Sequence, residues 1–325
     1  MRNGEYVFSG IFASEMESYL ELRKSQGHQH LRERHHFVSL DSYLCGKNVA
    51  IKELTPHTIE RWLQSFPPMS VNTKIVYISH YTQFAKYLRT LGFKAFIPER
   101  PIDDKTYIPY VFTEDETARM FSAADNLGTQ GKSLLPNLQF PVILRILYGC
   151  GMRLEEALRL EISDVDTEAH VILVRNAKGN KDRLVPMDKT LSGILRHYIS
   201  AVFADCPESG LLFTNSKNSQ IAQATVRYWF VRTLAAAGIE KPNLPRYSRN
   251  ICAHCIRHTF AVHSFRKQDL AGIDMYSAAP LLSTYMGHTK IYGTETYLHM
   301  SAENSADILE KSAEYSQGLF PEVPR

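Results

Sequence analysis

The chain has 325 residues, a net charge of +3 and a hydrophobic fraction of 44%, and this length predicts two domains. No stretch approaches the roughly 18 consecutive apolar residues that a membrane span needs, and the first residues lack the apolar run of a secretory signal. We therefore exclude an integral membrane protein and expect a cytoplasmic one. The first 105 residues hold 14 Lys and Arg against 11 Asp and Glu, whereas the rest of the chain holds 23 of each. So small a basic surplus is compatible with nucleic-acid binding but does not indicate it.

The first predicted domain, residues 1–100, is helical. Apolar residues recur at helical spacing over 11–25 and again over 31–44. Thr55, which is followed by proline, is a good N-cap for a third helix, and Ser70 is a good N-cap for a fourth.

A change of composition separates this domain from the next. Residues 101–112 contain two prolines and mixed charges, which is typical of a linker. Residues 113–300 form the predicted second domain, where Thr113 caps a helix with an acidic first turn, as the helix dipole favours. Helical periodicity returns over 138–148 and 153–160.

Between residues 165 and 187 the pattern becomes strand-like. Residues 170–174 and 183–187 have strand composition, and the Asn- and Gly-containing segment 176–182 between them has the composition of a turn. Helical patterns dominate the remainder. The predicted fold class is therefore mainly α with one small antiparallel β-sheet.

The first of four segments that carry chemistry is a glycine turn that leads into Arg153-Leu-Glu-Glu156. We expect Arg153 in the first turn of a helix and Glu156 on the same face, where its carboxylate can hold the guanidinium. On its own such a pair is most often an ordinary ion pair on a helix surface.

The second segment is the predicted hairpin turn, which carries Lys178 beside a glycine. An ammonium at the tip of a turn can reach into a groove. Taken alone, a solvated basic turn is the more common explanation.

The third segment places His254 and Arg257 one helical turn apart, with His258 directly after the arginine. Cys252 and Cys255 crowd the same segment and raise a metal-binding alternative. A structural zinc site normally needs a second pair of ligands, and the chain has no second cysteine pair at such spacing. We therefore predict that no metal is bound and that the thiols are reduced.

The fourth segment puts His288 in a glycine–histidine turn and Tyr297 nine residues later. A lone tyrosine is usually a packing residue, and this chain has 17 of them. Tyr297 becomes a candidate functional residue because it follows the other three segments in the chain.

In order and separation the four segments resemble the tyrosine recombinases of the phage-integrase type. That family shows an arginine in Gly-[Met/Leu]-Arg-x-x-Glu, a hairpin lysine, a His-x-x-Arg-His-[Thr/Ser] helix, a Gly-His turn, and a tyrosine about nine residues beyond it. The resemblance covers nearly the whole chain, although only these motifs are specific. It implies a SAM-like core-binding domain that clamps DNA over 1–100, a catalytic domain over 113–300, and a docking tail over 301–325.

The resemblance implies that the arginines stabilise the negative charge that develops on a DNA phosphate during in-line attack. Arg153 and Arg257 are the two always-ionised, bidentate donors. His288 adds hydrogen bonds to the non-bridging oxygens, and His254 is a second candidate for this role. Glu156 and His258 are supporting residues.

The nucleophile implied by the resemblance is the phenol of Tyr297, which must lose its proton during attack. His254 is the predicted base. Lys178 is the predicted acid for the 5′-oxygen that leaves. The product is a 3′-phosphotyrosine bond, which a 5′-hydroxyl can reverse.

This chemistry predicts no cofactor, neither ATP nor a metal, because the phosphotyrosine keeps the energy of the broken bond. The predicted partner is double-stranded DNA with an inverted-repeat site, bound by four copies of the chain; a partner recombinase is left open. Residues 301–317 have the pattern of an amphipathic helix. We expect it to dock on a neighbouring protomer, with packing on its own protomer as the alternative.

Three other functions are alternatives to a recombinase. A type IB topoisomerase would use the same residues to relax DNA as a monomer, and an inactive DNA-binding relative would have lost a catalytic position. A metal-dependent nuclease would need clustered carboxylates, and Asp164 and Asp166 are better explained as polar residues at a strand edge.

Overall fold

The computed structural model describes residues 6–27, 31–47, 51–102, 109–127, 135–177, 181–203, 210–242, 250–287 and 297. These residues fall into two compact units, residues 6–102 in the first and those from 109 onward in the second. Across the described ranges, no helix has the length and apolar character needed to cross a bilayer.

The described residues of the first unit form the helices α1 (Ala13–Ser25), α2 (Leu31–Gly46), α3 (Pro56–Gln64) and α4 (Val71–Thr90). The predicted caps are confirmed: the side chain of Thr55 accepts the N–H of Thr58, and that of Ser70 accepts the N–H of Thr73. Each such cap stabilises its helix by about 1 kcal/mol. The core of the unit is rich in aromatic rings, among them Trp62.

In the second unit the described elements are, in chain order, α5 (Glu114–Asp125), α6 (Leu135–Gly149), α7 (Leu154–Leu158), a 3-10 turn (Ile162–Asp164), β1 (Val165–Asp166), β2 (Val171–Ala177), β3 (Lys181–Pro186), α8 (Lys189–Phe203), α9 (Gln223–Ala236), α10 (His254–Leu270) and α11 (Met275–Met286). The predicted fold class, mainly helical with a small antiparallel sheet, is confirmed. Thr113 caps α5 in a capping box with Glu116, as the sequence indicated.

The sheet has the order β1–β2–β3 with antiparallel neighbours. Leu173 pairs with Leu184 across the two predicted strands, and the register shifts between Val174 and Ala177 near the hairpin turn. The first strand was not predicted, because two residues are too few to show a strand periodicity. Asp166 lies in that strand, but Asp164 is a buried residue of the 3-10 turn rather than a strand-edge residue.

Helix α10 carries three of the candidate residues and packs against α6 and α11. Its position is fixed by a buried hydrogen-bond relay: the Thr259 hydroxyl donates to the Cys255 carbonyl and accepts the N–H of Phe112, both at 2.9 Å. Apolar side chains such as Ile256 and Phe265 bury the helix on either side of that relay. The beginning of α10 is thus held at a fixed place in the core of the second unit.

Candidate active site

Arg153 lies one residue before α7, so it is the N-cap of that helix and not a first-turn residue as we expected. Glu156, the third helical residue, explains the difference. Its carboxylate accepts the backbone N–H of Arg153 at 3.0 Å and the guanidinium at 2.7 Å. Capping the helix in this way holds the backbone of Arg153 extended, and the predicted ion pair is present. One carboxylate therefore fixes both the main chain and the side chain of Arg153.

The same carboxylate binds a second cation, Arg183 on β3, which is not among the residues predicted for the site. The two terminal nitrogens of Arg183 donate to Glu156 at 3.1 and 2.8 Å. Burial alone would raise the pKa of Glu156, but the hydrogen bonds and charges of Arg183 and Arg153 outweigh it and lower that pKa to about 2. We call Arg153, Glu156 and Arg183 the ionic cluster.

The sequence signal for Arg183 is its spacing of two from Val185, which places both side chains on the same face of a strand. The structure shows that this face is the inward one, because Val185 is fully buried and Leu184 is 66% exposed. A charged side chain on an inward face needs a partner of opposite charge. The partner, Glu156, is 27 residues away in the sequence. The strand pattern could therefore indicate that Arg183 needs a partner, but it could not identify Glu156 as that partner.

Three arginines converge on the last carbonyls of α11. The carbonyls of 285–287 accept, in order, from Arg183 at 3.3 Å, Arg257 at 2.7 Å and Arg153 at 3.0 Å. The final carbonyls of a helix have no partner within the helix and carry the negative end of its dipole. The end of α11 therefore gathers guanidiniums from three distant segments into one place.

Gly287 makes this convergence sterically possible. It adopts a left-handed conformation with φ +67°, which terminates α11. A Cβ at this position would lie 3.0 Å from a terminal nitrogen of Arg183. Both the conformation and the space thus favour glycine here.

Arg257 is almost completely buried, with 2% of its surface exposed. Its terminal nitrogens donate to the carbonyls of Gly151 and Met286 at 2.5 and 2.7 Å. Burial, and next the nearby charge of Arg153, lower the pKa of Arg257 to about 10. The guanidinium therefore stays charged at neutral pH.

Tyr297 also lies in this region. Its phenol oxygen is 2.8 Å from Nδ1 of His258, the supporting histidine of the sequence analysis. His254, which we predicted to be the base, packs its ring edge to face against His258, with ring centroids 4.7 Å apart. We call Arg257, His258 and Tyr297 the phenol pocket.

The phenol of Tyr297 is buried, with 3% of the residue exposed. Burial raises the pKa of this phenol above its usual value of 10, while the charges of Arg257 and Arg153 lower it. Both arginines therefore act electrostatically on the hydroxyl, although burial has the larger effect and keeps it protonated at neutral pH.

Two predicted site residues, Lys178 and His288, lie outside the described residues, as does the predicted tail 301–325. Within the described part of the chain, no group of three or more His, Cys, Asp or Glu side chains is arranged to hold a metal ion. The structure thus brings together Arg153, Glu156 and the three residues of the phenol pocket, and adds Arg183 to them.

Known proteins share both the sequence pattern and the fold. Residues 110–304 match the family model described as the phage integrase family. The tyrosine recombinase XerC of Chlorobaculum parvum is 26% identical over 79% of this chain and 75% of its own length. A tyrosine recombinase of Thermosipho africanus is 28% identical over 72% of this chain and 74% of its own.

Among solved structures, the XerH site-specific recombinase in a pre-cleavage complex with its difH substrate has the same fold. Its TM-score is 0.64, at 20% identity, over 92% of this chain and 83% of XerH. Because the family model matches more than half of the residues, this chain belongs to the phage integrase family and is a tyrosine-type site-specific recombinase.

Proposed function

We propose that each protomer cuts one DNA strand by attack of the Tyr297 phenol oxygen on a backbone phosphodiester. The phenol oxygen becomes bonded to the 3′-phosphate, and the 5′-oxygen leaves as a hydroxyl. The observation that carries this proposal is the convergence of the ionic cluster and the phenol pocket. Arg153 and Arg257 bind the neighbouring carbonyls of residues 287 and 286, and His258, next to Arg257 on α10, is hydrogen-bonded to the Tyr297 phenol. A nucleophile and two permanent cations in one place suit a reaction that builds negative charge on phosphate.

The two guanidiniums have distinct tasks in this mechanism. Arg153 is 26% exposed along its side chain, so it can meet an incoming phosphate first. Arg257 lies deeper, and its two described bonds to carbonyls use two of its five N–H donors. Donors fixed in advance need no reorganisation as charge develops on the non-bridging oxygens.

We propose that His258, rather than His254, is the base that accepts the proton of the Tyr297 phenol. The distance of 2.8 Å between Nδ1 of His258 and the phenol oxygen is within the range for direct proton transfer. When Nδ1 carries no proton, the phenol donates to it and the ring can take that proton as attack proceeds. His254 then acts through its edge-to-face contact by holding the ring of His258 in place.

Lys178 and His288 complete the proposal on sequence grounds. Lys178 would protonate the leaving 5′-oxygen, because an ammonium on a turn can follow the scissile phosphate. His288 directly follows Gly287, whose carbonyl binds Arg153. A hydrogen bond from His288 to the same phosphate would thus come from the segment that already gathers the arginines.

The burial of Tyr297 adds a step before chemistry. A phosphate cannot reach an oxygen on a residue that is 3% exposed, so the groups that cover the phenol must move when DNA binds. We propose that contact between the phosphate and Arg153 precedes this opening. Cleavage would then be restricted to protomers that have engaged DNA.

We further propose that four protomers assemble on two copies of an inverted-repeat DNA site, because each active site cuts one strand and a full exchange needs four cuts. The second unit exposes large apolar side chains, Leu270, Ile273, Tyr276 and Leu281, near the end of α10 and along α11. Such side chains favour a surface that another protomer covers. From the DNA substrate we infer that the protein acts in the cytoplasm at the nucleoid.

The experiment uses the full chain and a duplex selected from random-sequence DNA for tight binding. A nick placed near the cleavage point lets the short 5′-hydroxyl fragment diffuse away, which traps the covalent intermediate. We expect an adduct that survives denaturing electrophoresis and is lost in Tyr297→Phe. The matched control is Tyr276→Phe, which removes a hydroxyl from a tyrosine that is 75% exposed.

An adduct in Tyr297→Phe at the level of the unmodified chain would refute the assignment of the nucleophile. Assembly is tested separately, by looking for complexes that join two duplexes. The variant Tyr276→Ser/Leu281→Ser should lose these complexes and still form the adduct on a single site. Adduct formation without any joined complex in the unmodified chain would refute the four-protomer assembly.

A further inference from the structure

Cys252 and Cys255 are the first and last residues of the turn that begins α10, and His254 lies between them. Cys252 is exposed, Cys255 is completely buried, and both are thiols in this structure. The N–H of Cys255 donates to the Cys252 carbonyl at 2.8 Å, which closes the turn. The N–H of Cys252 in turn donates to the Cys255 sulfur at 3.4 Å. The two side chains are thus held on the same side of one tight turn.

The turn also brings the two residues within bridging range of each other. The two ends of such a turn lie within about 7 Å of each other, and a disulfide joins residues whose Cα atoms are about 4.4 to 6.8 Å apart. A disulfide bond is about 2.05 Å long, so the two sulfurs must move into direct contact to form one. Cys252 is the exposed partner and can make that movement.

The chemical state of Cys252 favours reaction. The hydrogen bond from the Cys255 thiol is the largest influence on its pKa. That bond, together with the two backbone N–H groups at the helix start, outweighs burial and lowers the pKa to about 6. A lowered pKa raises the fraction of this thiol that is ionised at neutral pH. The thiolate is the form that attacks a disulfide.

We propose that Cys252 and Cys255 are a redox pair whose oxidation to a disulfide switches off strand cleavage. The oxidant is a low-molecular-weight disulfide such as glutathione disulfide. The Cys252 thiolate attacks one of its sulfurs, the sulfur–sulfur bond breaks, and one thiol leaves with the bonding electrons. Cys255 loses its proton and attacks the Cys252 sulfur, and the second thiol leaves. The protein has then lost two electrons and two protons, and the oxidant has become two thiols.

The link to cleavage is a chain of direct contacts, and this part of the inference rests on the proposed function. Drawing the two sulfurs together reshapes the turn that holds His254, because the hydrogen bond from the Cys252 N–H to the Cys255 sulfur is part of that turn. His254 packs on His258, which is hydrogen-bonded to the phenol of Tyr297. A displacement of about 1 Å in such an arrangement slows a reaction by roughly 100-fold.

The test treats the full chain with glutathione disulfide and measures two quantities on each sample. Peptide mapping after alkylation reports whether Cys252 and Cys255 are joined, with a loss of two hydrogens. The suicide duplex reports the rate of adduct formation. We expect the disulfide to form, cleavage to slow by roughly 100-fold, and a thiol reductant to restore both.

Two variants distinguish the effect of oxidising this pair from the effect of oxidising other thiols. Cys252→Ser keeps an oxygen that can cap α10, so it should cleave at the normal rate when reduced and should not respond to the oxidant. Cys45→Ser removes an exposed thiol of the first unit and should respond as the unmodified chain does. A mixed disulfide with glutathione as the end product, or a Cys252–Cys255 disulfide that leaves cleavage unchanged, would overturn the redox switch. Absence of an adduct from the reduced chain would instead refute the proposed function, and the peptide map would still decide whether the disulfide forms.

Discussion

The ionic cluster is held by opposite charges at a partly exposed surface, whereas the phenol pocket is held by burial and hydrogen bonds. In the cluster one carboxylate is shared by two guanidiniums, which leaves one net positive charge. In the pocket Arg257 is bound by backbone carbonyls and Tyr297 by a histidine ring. The two regions meet at the end of α11, yet their exposure differs clearly: 26% of the Arg153 side chain against 2% for Arg257.

In the proposed mechanism, this difference separates binding of the phosphate from the reaction with Tyr297. The cluster already presents a fixed charge to solvent, so it can bind phosphate without rearranging. In the proposed mechanism the Tyr297 phenol is kept protonated and covered, so the phenol pocket has to open before the phenol can react. Such an arrangement would avoid a reactive phenol in the absence of DNA.

The largest expected effect comes from Arg257→Lys. Lysine keeps the charge but cannot reach the carbonyls of Gly151 and Met286 with a planar fork and still face a phosphate. We expect adduct formation to fall by roughly 1,000-fold, the upper range for one lost donor, and the second unit to melt at a lower temperature. Adduct kinetics and thermal unfolding measure the two effects. A variant that cleaves within a few-fold of the normal rate would contradict a role for Arg257 at the phosphate.

The next effect comes from the histidines. His258→Gln removes the ring nitrogen that binds the Tyr297 phenol and should slow cleavage roughly 100-fold, as for a lost general base. His254→Gln, its matched control on the same helix, should slow cleavage less, because His254 acts by positioning His258. Activity lost in His258→Gln should return partly as the pH is raised, since more of the phenol ionises without help. A larger loss in His254→Gln than in His258→Gln would reverse our assignment of the base.

A smaller effect is expected from Glu156→Gln, which removes the charge that joins the ionic cluster. In the folded chain the pKa of Glu156 is lowered from 4.5 to about 2. The stabilisation is therefore fully present above pH 4.5 and is lost as the pH falls towards 2. This pKa shift corresponds to a contribution of about 3 kcal/mol at most to the free energy of unfolding. Denaturant unfolding of both chains should thus differ at pH 7 and converge at pH 2 to 3; a difference that does not change with pH would contradict this account.

The smallest effect is expected from Arg183→Met, which leaves Arg153 paired with Glu156. Removing one of the two cations should raise the pKa of Glu156 and move its pH-dependent loss of stability closer to pH 4.5. Cleavage should change only a few-fold, because Arg183 supports Arg153 and is not assigned to the phosphate. The unfolding free energy as a function of pH reports the first effect, and adduct kinetics report the second. A loss of cleavage as large as that of Arg257→Lys would mean that Arg183 itself contacts DNA.

Local sequence was sufficient wherever a feature depends on residues a few positions apart. The caps at Thr55, Ser70 and Thr113 need only a side chain and an N–H three residues later. The pairing of Arg153 with Glu156 belongs to the same class. The two longer strands were also predictable, because their composition differs from that of the helices around them.

The sequence by itself determined which residue types the site contains and the family to which the chain belongs, because motif order and local spacing are properties of the chain alone. Only the tertiary structure decided which of these residues meet. It joined Arg183 to Glu156, placed His258 at the phenol of Tyr297, and gathered three arginines at the end of α11. Such contacts link positions from 27 to 134 residues apart, and they arise when packing brings separate elements together, which no local pattern records.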